Sequence, residues 1–420
     1  MAQKGILTLA LAATVLAACV RPDRGPSPFD ALATNEAKEH PTPASPVVGP
    51  DFIIIPDSEL VYGPTAIEFP LERIISESAG IINQYTGTVG EEELIAGAII
   101  ARISREYAVH PRLLLMLLEY RAGWLTDPAG RGEREYPILP GDTARSGLYR
   151  QLSWAADTLN YGYYSRRVGG LKRITLRDGT QVDLSQQTTD ATAAVQYLLG
   201  QLLEYPEWEL AVSPLGLYAQ YLKWFGSPQE LAVEILPPDG LTQPAMRLPF
   251  EGGWFFTGGP HSAWGSGAAW AALDFAPDGR DAWGCYDSPE MVLAVADGLI
   301  LRTGDGAVLQ DLDGDGNEGT GWTVLYMHIA ERGRVETWTY LHAGEAIGHP
   351  SCEGGPATGT HLHLARRFNG EWIPADQEIP FILDGWASSG DGVEYDGMLS
   401  REGATISASG FPDETNKVFP

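Results

Sequence analysis

The sequence predicts a multidomain α plus β protein: a mainly helical domain over residues 51–245, followed by an antiparallel β-sheet domain over residues 246–410. Two observations carry this. Apolar residues recur at helical spacing up to about Pro244, and beyond it short alternating segments are separated by Gly, Asp and Pro. A chain of 420 residues is also long enough for two or three cores. No internal repeat points to a solenoid or propeller.

The first residues read as an export signal. Lys4 supplies a positive end, Ile6 to Ala18 is an apolar run, and Leu16-Ala17-Ala18-Cys19 follows. The run is too short to span a bilayer core of ~30 Å. Small residues just before a cysteine resemble the bacterial lipobox, which makes residues 1–19 a lipoprotein signal peptide with a lipidated Cys19. The alternative is a plain secretory signal that contains a cysteine. The lipobox reading places the protein outside the cytoplasm, held to a membrane through Cys19 and facing the cell-wall compartment. Residues 20–50 are rich in Pro, Ala, Ser and charge without apolar period, and read as a linker in which His40 is inert.

In the helical part, Ile95, Ile99, Ile100 and Ile103 share a face, and Glu91–Glu93 sit where acids suit a helix start. Pro111 opens a second helix, RLLLMLLEY, apolar on most sides. DATAAVQYLLGQLL and GLYAQYLKWFG follow the same period, with Thr189 or Asp190 as a cap for the first. Between these elements, LKRITLRDGTQVDL alternates around Asp178-Gly179 and reads as a hairpin. The β part contains WAALDFAP, MVLAVADGLILRTG, AVLQDLDGDG, GWTVLYMHIA and THLHLARRF, and residues 411–420 read as a tail.

The net charge of -27 excludes nucleic acid as a partner, since that needs a basic footprint. With Cys19 assigned to the anchor, Cys285 and Cys352 remain. In an oxidising compartment two leftover cysteines pair; two buried thiols are the alternative that spacing leaves open.

Six of the eight histidines lie after residue 260. His361 and His363, one residue apart, fall on one face of a strand, with Thr360, Leu362 and Leu364 on the other. His261 sits in a glycine-rich loop, GGPHSAWGSG. On a strand Asp274 would share a face with Ala272 and Ala276, leaving room beside its carboxylate. His328 would project with Val324 and Tyr326. Any one of these is unremarkable as an exposed or hydrogen-bonded side chain; three separate strands each delivering metal- or proton-competent groups is not.

The order His…Asp…(Tyr-x-His)…(His-x-His) resembles the lysostaphin and LytM family of zinc endopeptidases, and the long loop between the first His and the Asp is similar to the LasA (staphylolysin) branch. The stretch GEAIGHPSCEGGPATGTHLH is similar to the family's glycine-rich approach to its HxH strand. The resemblance covers about residues 246–400. It implies a zinc-dependent endopeptidase acting on bacterial peptidoglycan, with one Zn2+ per chain bound by His261, Asp274 and His363. It implies that His328 and His361 are catalytic groups beside the metal, one handling the proton and the other the oxyanion. Two imidazoles and a carboxylate leave a fourth tetrahedral position for water, as a catalytic zinc site requires. His342 and His349 match no functional position of the family. A bond between Cys285 and Cys352 would brace two segments bordering the metal.

Two further features stand beside this reading. Asp311, Asp313 and Asp315, followed by Gly316, form the first half of a calcium loop. Position twelve is Trp322 rather than a bidentate Glu, so an acidic hairpin loop is favoured over a Ca2+ site. The segment ISREYAVHPRLLLMLLEYRAGW resembles the start of lysozyme-like lytic transglycosylase domains. The expected catalytic Glu position falls on Arg121, however, with Glu119 two residues earlier and about 200° round the helix. Arg cannot act as the general acid, which leaves this domain to hold glycan, to position the peptidase, or to be an unrelated helical domain. Two alternative functions follow: a catalytically silent cell-wall-binding or hydrolase-activating lipoprotein, and a transglycosylase acting through residues 51–245.

Overall fold

The computed structural model describes residues 51–279 and 284–420. The signal sequence, Cys19, His40 and the linker expected over 20–50 lie outside these residues. Among the described residues no helix is long and apolar enough to cross a membrane.

Among the described residues eight α-helices fill the first half: α1 (Pro64–Ile67), α2 (Leu71–Glu77), α3 (Ala96–Tyr107), α4 (Pro111–Ala122), α5 (Leu148–Arg167), α6 (Asp190–Leu202), α7 (Tyr205–Ala211) and α8 (Leu217–Phe225). They interleave with two hairpins, β1 (Thr86–Val89) with β2 (Glu92–Ile95) and β3 (Arg173–Thr175) with β4 (Gln181–Asp183). The second hairpin turns at Asp178-Gly179 as read from the sequence, with Gly179 at φ 86°. The first corrects an expectation. Glu92 and Glu93 lie in strand β2, not at a helix start; Gly90 turns the hairpin at φ 61°, and Thr86 donates to the Glu93 carboxylate. Helix α6 is capped by Thr189, whose hydroxyl accepts from Thr192 N–H.

Helix α4 is buried on nearly every side. Its Glu119 accepts from Leu125 N–H at 2.8 Å and from the Thr126 hydroxyl at 2.6 Å, so the carboxylate is used in closing the turn beyond the helix. Arg121 reaches toward the Ile138 carbonyl. Neither residue is presented as a glycosidase acid, and the lysozyme-like expectation finds no support here.

Among the described residues the second half is built on one antiparallel sheet of nine strands. Its members are β5 (Trp254–His261), β6 (Ala272–Ala276), β8 (Gly298–Gly304), β9 (Ala307–Asp311), β10 (Trp322–Met327), β11 (Tyr340–Leu341), β13 (Leu362–Phe368), β14 (Glu371–Trp372) and β19 (Lys417–Val418). Eight of them run in the order β11-β8-β9-β10-β13-β6-β5-β19, and β14 pairs with β13. A short ladder joins β7 (Val292–Leu293) to β12 (Ala346–Gly348). A four-stranded sheet joins β15 (Ile382–Leu383), β16 (Trp386–Ser389), β17 (Met398–Arg401) and β18 (Ala404–Ser407). Residues 411–420 do not hang free: β19 pairs with Trp254 and Phe255 of β5, and Val418 is buried in the core.

The period of two sorts the large sheet into two faces. On one face Leu273, Phe275, Val308, Val324, Tyr326, Leu362 and Leu364 form the core of the β half. On the other, Ala272, Leu309, Leu325, Met327 and Ala365 join the core of the helices. The helical half therefore packs directly on the sheet. Where it does so the contact is partly ionic: Arg167 of α5 bonds Glu371 at 3.1 Å, and Arg105 of α3 lies 3.7 Å from Glu318, which within the β half bonds Arg367 at 2.9 Å and Arg302 at 3.2 Å. Asp157 of α5 receives the N–H groups of Ser266 and Gly267, fixing the loop that follows His261.

Candidate metal centre and cleft

Asp274 and His363 face each other across the β6–β13 ladder, and Gly258 of β5 lies opposite Asp274 on its other side. His261 ends β5 beyond a bulged stretch. The strand alternation places all of these on the sheet face shared with the helices, at the end the helices leave open. The separations are short: His261 Nε2 is 2.9 Å from His363 Nδ1 and 3.2 Å from Asp274 Oδ1, and His363 Nδ1 is 3.3 Å from the same oxygen. All three side chains are buried.

Hydrogen bonds at the far ring nitrogens set the tautomers. His261 Nδ1 lies 2.8 Å from the Gly259 carbonyl and His363 Nε2 lies 3.1 Å from the Ala263 carbonyl. A carbonyl only accepts, so those nitrogens carry the protons and in the neutral form the facing nitrogens are bare. Two lone pairs and a carboxylate oxygen then meet at one point, an arrangement that needs a shared proton or a metal cation between them. Tetrahedral zinc with bonds of ~2.0–2.1 Å separates its ligand atoms by ~3.3 Å, close to the distances found. Asp274 Oδ1 has no hydrogen-bond partner, as expected of an oxygen reserved for a metal. The donor set fits zinc.

His361 and His328 complete the group. His361 Nε2 is 3.8 Å from Asp274 Oδ2, and the rings of His328 and His361 lie 4.4 Å apart. Their Nδ1 atoms are each 2.8 Å from a carbonyl, of Glu353 and of Gly359 respectively, so in the neutral form both present a bare Nε2. Burial, then the neighbouring His361, pushes His328 down to about 4.

His328 arrives by a route that alternation does not give. Val324 and Tyr326 point into the core of the β half, and a continued strand would send His328 with them. Strand β10 ends at Met327, and His328 adopts a left-handed backbone, φ 63°, which brings its ring back beside His361. The expected grouping of His328 with Val324 and Tyr326 is thereby corrected.

The centre opens into a cleft of about 1120 Å³ lined by Asp274 and His361 together with Phe255, Tyr286, Tyr395 and Phe411. The Cys285–Cys352 disulfide is formed and ties the segment after β6 to the glycine-rich approach to β13. Tyr395 carries no sequence signal. Its ring stacks on His261 at 4.3 Å, while the neighbouring Glu394 accepts from Ser262 N–H. His342 and His349 stay outside the cluster, bonded to Asp297 and to the Glu290 carbonyl. Asp311, Asp313 and Asp315 do lie within reach of one another. The Asp311 carboxylate accepts from the N–H groups of Asp313, Gly314 and Gly316.

An open cleft floored by such a donor set is that of a metal-dependent hydrolase, and the similar proteins narrow it to a metalloendopeptidase. Residues 53–239 match the family described as "LasA, N-terminal domain", which replaces the lysozyme-like expectation for this region. The chain is 26% identical over 342 residues to Protease LasA of Pseudomonas aeruginosa, covering 76% of this chain and 74% of that protein. It is 28% identical over 185 residues to the beta-lytic metalloendopeptidase of Achromobacter lyticus, covering 42% and 44% of the two chains. Among solved structures, the M23 metalloprotease pseudoalterin matches 40% of this chain at 23% identity and a TM-score of 0.33. The catalytic domain of lysostaphin from Staphylococcus simulans matches 30% at 21% identity and a TM-score of 0.21. The chain is LasA-like: it is similar to Protease LasA over about three quarters of its length, and its residues 53–239 match the LasA N-terminal domain.

Proposed function

We propose that the protein hydrolyses peptide bonds in bacterial peptidoglycan, using one zinc ion held by His261, Asp274 and His363, with His328 and His361 as the catalytic groups. The observation that carries the reading is the meeting of two bare imidazole nitrogens and a carboxylate oxygen within about a tetrahedral edge of one another. Zinc bound there would polarise a scissile carbonyl and acidify a water molecule. The residues do the rest. Asp274 neutralises part of the cation's charge, and the backbone carbonyls of Gly259 and Ala263 keep the ligand rings in register. Of His361 and His328, one would take up on its Nε2 the proton released during attack and return it to the leaving amine, and the other, once protonated at Nε2, would donate to the oxyanion. Phe255, Tyr286 and Phe411 give the cleft apolar walls against which a peptide can lie.

The same reading takes the protein to be exported and held to a membrane through a lipidated Cys19, with the cell wall in reach of the cleft. Purified cell walls incubated with the zinc-loaded chain should clear and release new free amino groups, and a chelator should abolish both. His363→Ala should lose metal and activity together. New reducing or anhydro-sugar ends without new amines would refute the peptidase reading, as would full metal stoichiometry in His363→Ala.

A further inference from the structure

The left-handed backbone of His328 has to be held, because a non-glycine residue there costs ~1–2 kcal/mol. Ser351 holds it from one side, donating to the His328 carbonyl from its N–H at 2.6 Å and its hydroxyl at 3.0 Å. From the other side Ile329 N–H donates to the Gly306 carbonyl at 2.9 Å, and the ring itself donates from Nδ1 to the Glu353 carbonyl at 2.8 Å. These last two contacts belong to two interlocked loops. A Cβ on Gly306 (φ 71°) would stand 2.4 Å from the Glu353 carbonyl carbon, and one on Gly354 (φ 85°) would stand 2.2 Å from the Asp305 oxygen. The carbonyl that orients His328 therefore rests directly on the β8–β9 turn.

That turn is tied to the helical half. Arg102 of α3 bonds Asp305 Oδ2 at 2.5 Å and, through Nε, Glu106 at 2.8 Å. Tyr149 of α5 donates to the other Glu106 oxygen at 2.7 Å. A continuous set of contacts runs from α5 and α3 through Asp305-Gly306 and Glu353 to the imidazole of His328.

We propose that the Asp305-Gly306 turn is the positioning element for His328, and that Arg102 is the residue through which the helical half sets it. The proposal rests on the catalytic role given to His328 above, and it makes the helical half a working part of the site as well as a cover for the sheet.

The test uses the full chain loaded with zinc and labelled with 15N in its histidine rings. In the wild type, His328 should show a protonated Nδ1 and a bare Nε2. Gly306→Ala should lose that signature and lower kcat by about tenfold or more, since a misplacement of ~1 Å at a reacting group can cost 100-fold. KM and zinc stoichiometry should stay within twofold. Arg102→Ala should lower kcat about threefold with the same ring signature weakened, the scale of one partly exposed ion pair, and Arg102→Lys should restore both. Wild-type kcat and an unchanged His328 signature in Gly306→Ala would overturn the proposal. Should that variant not fold, the same result in Arg102→Ala would overturn it. The ring signature needs no substrate. A wild type that cleaves nothing, but whose signature responds to these substitutions, would sink the peptidase reading and leave the positioning intact.

Discussion

Gly258→Ala isolates the geometry of the metal centre from the stability of the fold. Gly258 sits in β5 opposite Asp274, on the same face, and its φ lies outside the left-handed region, so alanine meets no backbone penalty there. The added Cβ would come 2.8 Å from Asp274 Oδ2 and 3.1 Å from its Cγ. An ordinary contact is ~3.4 Å or more, so the carboxylate must retreat by roughly 0.5 Å, while metal-ligand bonds tolerate only about ±0.2 Å. Displacing a ligand through its neighbours weakens metal binding by about 10–100-fold, or ~1.4–2.8 kcal/mol. The strand itself gains rigidity from alanine, ~0.5–1 kcal/mol, which offsets part of the local crowding. Zinc affinity should therefore fall while the metal-free protein unfolds within ~1 kcal/mol of the wild type. The assay is equilibrium competition against a chromogenic zinc chelator, with urea unfolding of the metal-free proteins alongside. Gly410→Ala, where an added Cβ meets nothing within 4 Å, serves as the neutral control on the cleft rim. Zinc affinity within twofold of the wild type, in a Gly258→Ala protein that folds, would refute the assignment of Asp274 as a ligand.

Three other outcomes follow from the same contacts. Replacing Cys285 and Cys352 by alanine opens a crosslink between residues 67 apart and should cost up to ~4 kcal/mol in the chain-entropy treatment; denaturant unfolding under oxidising conditions measures it, and a loss below ~1 kcal/mol would show the crosslink to be idle. Glu318→Ala leaves the buried Arg367 without its carboxylate and should destabilise the chain by ~3–5 kcal/mol, read as a lowered unfolding midpoint that Glu318→Gln restores in part. Burial pushes the Glu371 carboxyl from 4.5 up to about 7 despite the nearby Arg167. A carboxyl raised on folding favours the native state most below its unfolded value. Stability should thus decline as pH rises from about 4.5 to 7, by on the order of 3 kcal/mol from this group, and Glu371→Gln should flatten that slope.

The candidate metal ligands are legible because their residue types are few and fall on strands whose alternation survives in the structure. His363 and Asp274 face each other as the period of two requires, and Leu362 and Leu364 point away. His328 was legible as a residue but not as a direction, since a single left-handed φ overrides the alternation and nothing in VLYMHIA announces it. Glu91–Glu93 read as a helix start because acids suit the dipole there, but residues 92–95 pair with Thr86–Val89 in a hairpin, a contact that charge pattern alone does not announce. Tyr395 and Gly258 act through contacts with residues far along the chain, and so leave no local trace. The docking of the helices did leave one: Ala263, Ala268, Ala269, Ala271, Ala272 and Ala365 all lie in the core shared with the helical half, where small side chains let two layers approach.

Strand β13 explains why chemistry and docking are not separable in this fold. His363, Ala365 and Arg367 occupy one face at successive alternate positions, spanning about 13 Å at ~3.3 Å per residue. The first faces Asp274 in the candidate metal centre, the second packs in the core shared with the helices, and the third enters the buried ion network with Glu318. A shift of the helical half along the sheet would be felt at Arg367 and, through a strand bonded on both sides by β6 and β10, at His363. The alternation that makes the ligand set possible also binds it to the helical layer, because one strand face cannot be re-registered by a residue without turning every side chain on it to the other side.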